Sequence, residues 1–161
     1  MLSRRQTLII ASSLVLNACS RKPGAVFDEL SLHEAASIDD EALVLLNAFR
    51  QQHNRGPLAI DQALRRAASN QSLIMLRKQK MQHEFGRSTR FKKRLQDAGV
   101  QSRIAAENIA VGSFDTSRVM RAWIDSRPHR KNMLLNDIDR FGIAMRSDKA
   151  GRRWWTLIVA G

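Results

Sequence analysis

An α+β fold is predicted by three features of this sequence. Apolar residues recur at helical spacing in four separate stretches, near 39–54, 61–81, 90–98 and 116–126. Runs of strand length stand near 104–112, 141–146 and 153–160. Glycine, proline, asparagine and aspartate punctuate the joints between them. A length of 161 residues with 43% apolar content suits one domain around a single core.

The first 18 residues read as a targeting segment and stand apart from the fold. Ser3-Arg4-Arg5-Gln6-Thr7-Leu8 is a twin-arginine pattern, and Leu8 to Leu16 is apolar. Such a run is too short to span a bilayer as a helix, which takes about 20 residues. It ends Leu16-Asn17-Ala18-Cys19, which resembles a bacterial lipobox with Cys19 as the lipidated first residue of the mature chain. Asn17 is an unusual occupant of that motif. The competing reading is a secretory signal cut elsewhere, with Cys19 incidental. Cys19 is the only cysteine, so an exported chain has no internal disulfide to draw on and must rely on its core.

Residues 19–38 are expected to form an acidic, flexible tether, with the folded domain over 39–161. Six of the 15 acidic residues lie between Asp28 and Glu41. Residues 42–161 then hold 23 basic and 9 acidic residues, a net charge of +14. Twenty of the 27 basic residues are arginine, which binds phosphate and carboxylate bidentately. Two readings of this charge stand side by side. One is a solvated arginine-rich surface, since the charges are scattered along the chain. The other is a surface for anionic lipids or polymers of a cell envelope, in preference to nucleic acid.

The first helix is expected to start near Ser37, with Asp40 completing a capping box. Ala42, Leu45, Leu46 and Phe49 give it a buried face, and Asn54-Arg55-Gly56-Pro57 stops it. Asp61 caps a second helix, whose face of Leu64, Ala67, Ala68, Gln71, Ile74 and Met75 has small residues for close packing. His83 follows in Met81-Gln82-His83-Glu84-Phe85-Gly86, either as a C-terminal cap favoured by the helix dipole or as a site residue. Phe91 to Ala98 makes a short basic helix closed by Gly99.

Ile104 to Gly112 reads as a strand with one carboxylate, Glu107, inside an apolar run. Unpaired burial of a carboxylate is expensive. Glu107 is therefore either a partner in a structural salt bridge with one of the arginines or a site residue. Asp115 or Thr116 caps the next helix, which carries Trp123 and Ser126. Pro128 lacks an amide hydrogen, so that helix should stop or kink there and present His129. Phe141–Arg146 and Trp154–Ala160 flank a turn at Asp148-Lys149-Ala150-Gly151 and form an expected antiparallel hairpin.

Three separated motifs, MQHEFG at 81–86, AENIAVG at 106–112 and WIDSRPHRKN at 123–132, occur in order. Together they resemble the bacterial branch of the CAP superfamily, which includes cysteine-rich secretory, venom-antigen and plant pathogenesis-related proteins. The resemblance covers residues 40 to 161. It implies an α-β-α sandwich, a small antiparallel sheet between helical layers.

In many relatives a central cleft holds two histidines and two acidic residues, and His83, Glu107 and His129 match three of the four. The fourth position falls on Ser126. Asp125 beside it points about 100° away around a helix and substitutes poorly. Two imidazoles with one carboxylate suit a divalent cation such as zinc, held weakly because one negative ligand is missing.

Other catalytic patterns are poor. There is no G-x-S-x-G elbow, no phosphate-binding glycine loop and no paired-carboxylate motif. A Ser126–His129–Glu107 triad can be drawn, but a capping serine beside a cleft histidine accounts for the same residues. The expected function is an exported, lipid-anchored binding module of the cell envelope, a monomer in the periplasm or outer membrane of a Gram-negative bacterium. The alternatives are a metal-assisted hydrolase using the same cleft and a basic adhesin for anionic polymers.

Overall fold

The computed structural model describes residues 32–161. The twin arginines and Cys19 lie outside the described residues. The order is α1 (Leu32–Gln52), β1 (Ala59–Ile60), α2 (Gln62–Lys78), α3 (Phe91–Asp97), β2 (Ala105–Gly112), α4 (Thr116–Asp125), α5 (Arg127–Met133), β3 (Arg140–Ser147) and β4 (Arg153–Ala160). A single 3-10 turn, Arg87–Thr89, precedes α3.

The strands form one sheet in the order β1-β3-β4-β2. β4 is central and runs antiparallel to both neighbours, with Ile158 opposite Glu107 on one side and Gly142 on the other. The hairpin between β3 and β4 is as expected. Its turn is held by the Asp148 carboxylate, which accepts from the amides of Ala150 and Arg152 at 3.0 Å each.

The sheet is not wholly antiparallel. β1 pairs parallel with β3 over two residues, anchored by Ala59 N–H to Asp139 O at 2.9 Å and Asp61 N–H to Phe141 O at 2.8 Å. Two residues are too short to show a strand period in sequence.

Alternation along the strands divides the core into two layers. Trp155, Leu157 and Val159 pack with Phe141, Ile143 and Met145 against Leu46 and Phe49 of α1 and Val119, Met120 and Trp123 of α4. On the opposite face Ala144, Ile158 and Ala160 meet Leu64, Ala67 and Ala68 of α2 and Leu95 of α3. Trp154 and Ile109 extend that face under Met75 and Leu76. The result is the expected α-β-α sandwich, with α1, α4 and α5 on one side and α2 and α3 on the other. Asp61 caps α2 through Leu64 N–H (2.9 Å) as predicted, and of the two caps expected for α4 it is Asp115 that bonds Arg118 N–H (2.8 Å).

Three expected boundaries are corrected. α1 starts at Leu32, so residues 32–38 of the expected tether are helical and Ser37 sits exposed inside the helix, not at its cap. Ala35 and Ala36 are strong helix formers, and they carry the helix through a serine that sequence alone reads as a start. Asp39, expected at the start of the domain helix, is buried and pairs with Arg65 at 3.1 Å.

α2 ends at Lys78, three residues early. Gln79 takes the left-handed conformation (φ 51°), and its amide and that of Lys80 close on Leu76 O and Met75 O. His83 therefore lies beyond the helix end and does not cap it.

The third correction concerns Pro128. The chain does break before it, at Ser126 in an extended conformation, but Pro128 is then the second residue of a new helix, α5. A missing N–H costs nothing in a first turn, so proline starts helices as well as stopping them.

The far end of α5 is held by two arginines. Arg50, fully buried in α1, donates through Nη1 to Met133 O (2.8 Å) and Leu135 O (3.0 Å) and through Nε to Gly56 O (2.7 Å). Arg55 Nε donates to Leu134 O at 3.0 Å. Cations at the negative end of the helix dipole, satisfying its last carbonyls, fix where α5 lies and hence where His129 sits.

Candidate functional site at the free edge of the sheet

β2 is an edge strand, and the two helical layers converge on its open side. Residues alternate across it, so Glu107 shares a face with Ile109 toward α2 and α3, while Asn108 turns toward α5. The edge itself is covered from α5. Asn132 Nδ2 donates to Glu107 O (3.3 Å) and Asn108 Oδ1 (2.9 Å), and Asn108 Nδ2 donates to His129 O (3.2 Å). An unpaired strand edge is thereby satisfied by two asparagines that also tie the His129 turn to β2.

On the other face Glu107 is buried and doubly engaged. Arg94 of α3 donates through Nη1 to Oε2 at 2.6 Å and through Nη2 to Oε1 at 3.0 Å. Both side chains are only 3% exposed. The salt-bridge reading of Glu107 is the one that the structure shows. Glu107 Oε1 also accepts from His83 Nδ1 at 2.8 Å.

A carboxylate only accepts, so Nδ1 carries the ring hydrogen. In neutral His83, Nε2 is left with its lone pair. The His83 backbone is fixed as well, its carbonyl accepting from Arg94 Nη2 (3.2 Å) and Gln71 Nε2 (3.2 Å). Its side chain is 54% exposed. The ring is accessible, and its base is rigidly held.

His129, in the first turn of α5, is half-buried. Its pKa lies below the ordinary value of 6.5, because burial disfavours the cation and because the His83 charge acts on it. The two histidines are thus brought within electrostatic reach across the edge of β2, and His129 is held toward its neutral form. Among the described residues, the His129 ring makes no side-chain hydrogen bond with Glu107 or Ser126, so the triad drawn from sequence has no connection between its members.

Ser126 lies at the α4–α5 junction, and its hydroxyl makes no capping bond. Asp125 faces elsewhere, lining an open groove of about 410 Å³ with Ser113, Phe114, Arg118, Arg121 and Ala122 on the outer side of α4. Neither His83 nor His129 lines that groove.

The donor set for a cation is therefore two imidazoles. Both Glu107 oxygens already accept from Arg94, and among the described residues no group of three His, Cys, Asp or Glu side chains is arranged to hold a metal. Sequence reasoning missed Arg94, and it placed Asn132 beside His129 without its bonds to β2. Arg94 did carry a signal: with Phe91, Leu95 and Ala98 it falls in the apolar stripe of α3, where a cation needs a buried partner.

A three-layer sandwich whose edge strand presents AENIAVG, followed by a tryptophan helix and a proline-started histidine turn, defines the class. The chain belongs to the CAP family, the cysteine-rich secretory protein family, whose model matches residues 43–159. It is 30% identical over 108 residues to the uncharacterized protein YkwD of Bacillus subtilis (strain 168), a match that covers 67% of this chain and 42% of YkwD. Among solved structures it is similar to an outer surface protein of Borrelia burgdorferi, with TM-score 0.72, 18% identity and coverage of 83% of this chain and 97% of that one. It is also similar to an extracellular protein containing an SCP domain from Bacillus anthracis, with TM-score 0.71, 24% identity and coverage of 82% and 44% respectively. The chain thus spans about two fifths of the length of YkwD.

Proposed function

We propose that this chain is an exported, lipid-anchored envelope protein whose CAP domain is a binding module. Its His83–His129 cleft takes a small ligand or a weakly held divalent cation such as zinc. The observation that carries the reading is the Arg94–Glu107–His83 chain of bonds, which orients one imidazole opposite a second that burial keeps neutral. Two oriented neutral imidazoles bind a cation. With Glu107 neutralised by Arg94 and a net charge of +14 over residues 42–161, nothing adds the negative ligand that tight binding needs. The same arrangement presents no nucleophile next to a base, so turnover of generic peptides or esters is not expected.

The test is calorimetric titration of zinc into the parent and a His83→Ala/His129→Ala variant across pH. Protons and zinc compete for the imidazoles, so binding strengthens as pH rises. The depressed pKa of His129 lets that imidazole take up zinc at a lower pH than a free one, whose midpoint is about 6.5. Identical heats from both proteins would remove the cation from the proposal. Hydrolysis that vanishes in the double variant would replace it with the metal-assisted hydrolase.

The anchor is tested separately. Cys19→Ala is expected to block processing and to shift the protein out of the detergent fraction of cell extracts. Normal cleavage with unchanged membrane association in that variant would make Cys19 incidental. The outer-surface and extracellular settings of the two structural relatives are compatible with export.

A further inference from the structure

From the last residue of α2 to the first turn of α3 the chain carries a concentration of charge that differs from the scattered remainder. Lys78, Lys80, Arg87, Arg90 and Lys92 fall within 15 residues, all five exposed and none ion-paired among the described residues. The one acidic residue of that stretch, Glu84, is occupied by Phe91 N–H at 3.1 Å. In the middle sits Met81, 50% exposed and one of two large apolar side chains that the described residues leave open to solvent.

The stretch is not a loose loop. Gln71 Nε2 donates to Gln82 O (2.6 Å), Phe85 N–H to Thr89 Oγ1 (2.7 Å), and Arg94 Nε to Thr89 O (3.1 Å). Cations are thus displayed from a fixed backbone at the rim of the histidine cleft.

We propose that residues 78–92 form a lip that docks on an anionic lipid bilayer. Lys78, Lys80, Arg87, Arg90 and Lys92 pair with lipid phosphates while Met81 enters the headgroup layer. Cations alone fit any polyanion; the exposed Met81 among them favours a bilayer, which offers an apolar layer beneath its charges. Each cation near an anionic surface contributes about 1 kcal/mol, a factor of about five in partitioning. Docking places His83, two residues from Met81, at the headgroups. The proposal depends neither on cation binding in the cleft nor on the acyl anchor.

The test is flotation of residues 20–161, which contain the whole described domain and lack both the apolar signal run and the acylation site. The vesicles are phosphatidylcholine alone or phosphatidylcholine with phosphatidylglycerol. The chain is expected to float only with the anionic vesicles and to be released by salt. Lys80→Glu/Arg87→Glu/Lys92→Glu should cut partitioning by at least about a hundredfold, the product of a factor of about five for each of the three cations lost, with repulsion of the new carboxylates in addition. Because these side chains are exposed and unpaired, the triple variant should melt with the parent. Met81→Ser should weaken flotation several-fold and leave binding to soluble polyphosphate unchanged, which also decides the matter if the triple variant melts early. A triple variant that melts and floats like the parent would overturn the lip. Met81→Ser floating like the parent, with polyphosphate competing the protein off vesicles, would assign the surface to a polymer instead.

Discussion

Arg94→Ala is expected to lower the unfolding free energy by about 3–5 kcal/mol, the loss that follows when one partner of a buried ion pair is removed. A domain of this size has only about 5–15 kcal/mol in hand, so the variant should be marginal. The cost arises on the partner. Glu107 would keep its charge at a site 3% exposed, with His83 Nδ1 as its remaining side-chain donor. The carbonyls of Thr89 and His83 would each lose a donor too. Glu107→Gln fails for the mirror reason, leaving a guanidinium that cannot deprotonate without its counter-charge. Arg94→Leu/Glu107→Leu removes both charges and should recover much of the loss, because a buried pair is strongly destabilised by breaking it and little by replacing it whole. Urea unfolding of the four proteins at neutral pH measures this. A single variant within about 1 kcal/mol of the parent would mean that the pair behaves as a solvated surface bridge and not as a buried one.

The pair also links fold to site. In the double variant His83 loses its Nδ1 acceptor, so the ring is free to rotate and to change tautomer even where the fold survives. Stability and imidazole orientation then separate experimentally. A folded Leu/Leu variant whose His83 nitrogen shifts report mixed tautomers identifies Glu107 as the orienter of His83. In the parent one tautomer should dominate at pH values where the ring is neutral.

What could be read from residues alone follows the length scale of each signal. The strands near 104–112 and 153–160 were legible because their apolar and β-favouring runs are long. Asp61 and Asp115 were legible because an N-cap is a local bond three residues deep. β1 was not, since its two residues are defined by a partner some 80 positions away. α5 was hidden because proline gives the same signal for the end of one helix and the start of the next. At Glu107 the sequence left a salt bridge and a site role open, and only the position of α3 against β2 shows the buried pair with Arg94 and the bond to His83. His83 and His129 came from motif resemblance. Their proximity depends on α5 being drawn in by Arg50, Arg55 and Asn132, contacts that no spacing reveals.

Gly142→Ala is expected to destabilise this domain strongly, although it adds a single methyl group. A Cβ at Gly142 would stand 2.2 Å from Arg65 N and 2.3 Å from the Leu64 carbonyl carbon, both backbone atoms of the first turn of α2. Flexible side chains yield to such an approach; a helix backbone does so only by moving as a body. That turn is unable to move freely. Arg65 N–H bonds Asp61 O at 2.9 Å, the Asp61 side chain caps Leu64 N–H, and Asp61 N–H is bonded to Phe141 O, the neighbour of Gly142 on β3. Arg140 Nη1 reaches Asp61 Oδ2 at 3.2 Å from the same strand. Relieving the clash means lifting α2 from the sheet, which uncovers Leu64, Ala67 and Ala68 and parts the buried bond from Ser72 Oγ to Thr156 Oγ1 (2.9 Å). A loss above about 4 kcal/mol is expected, in the range where small domains no longer accumulate as folded protein. Gly56→Ala is the matched control, because a Cβ there meets nothing within 4 Å and the backbone needs no left-handed conformation. Thermal melting and soluble yield of the two variants make the comparison. Gly142→Ala melting beside Gly56→Ala would show that α2 and β3 do not approach as closely as their backbones stand here.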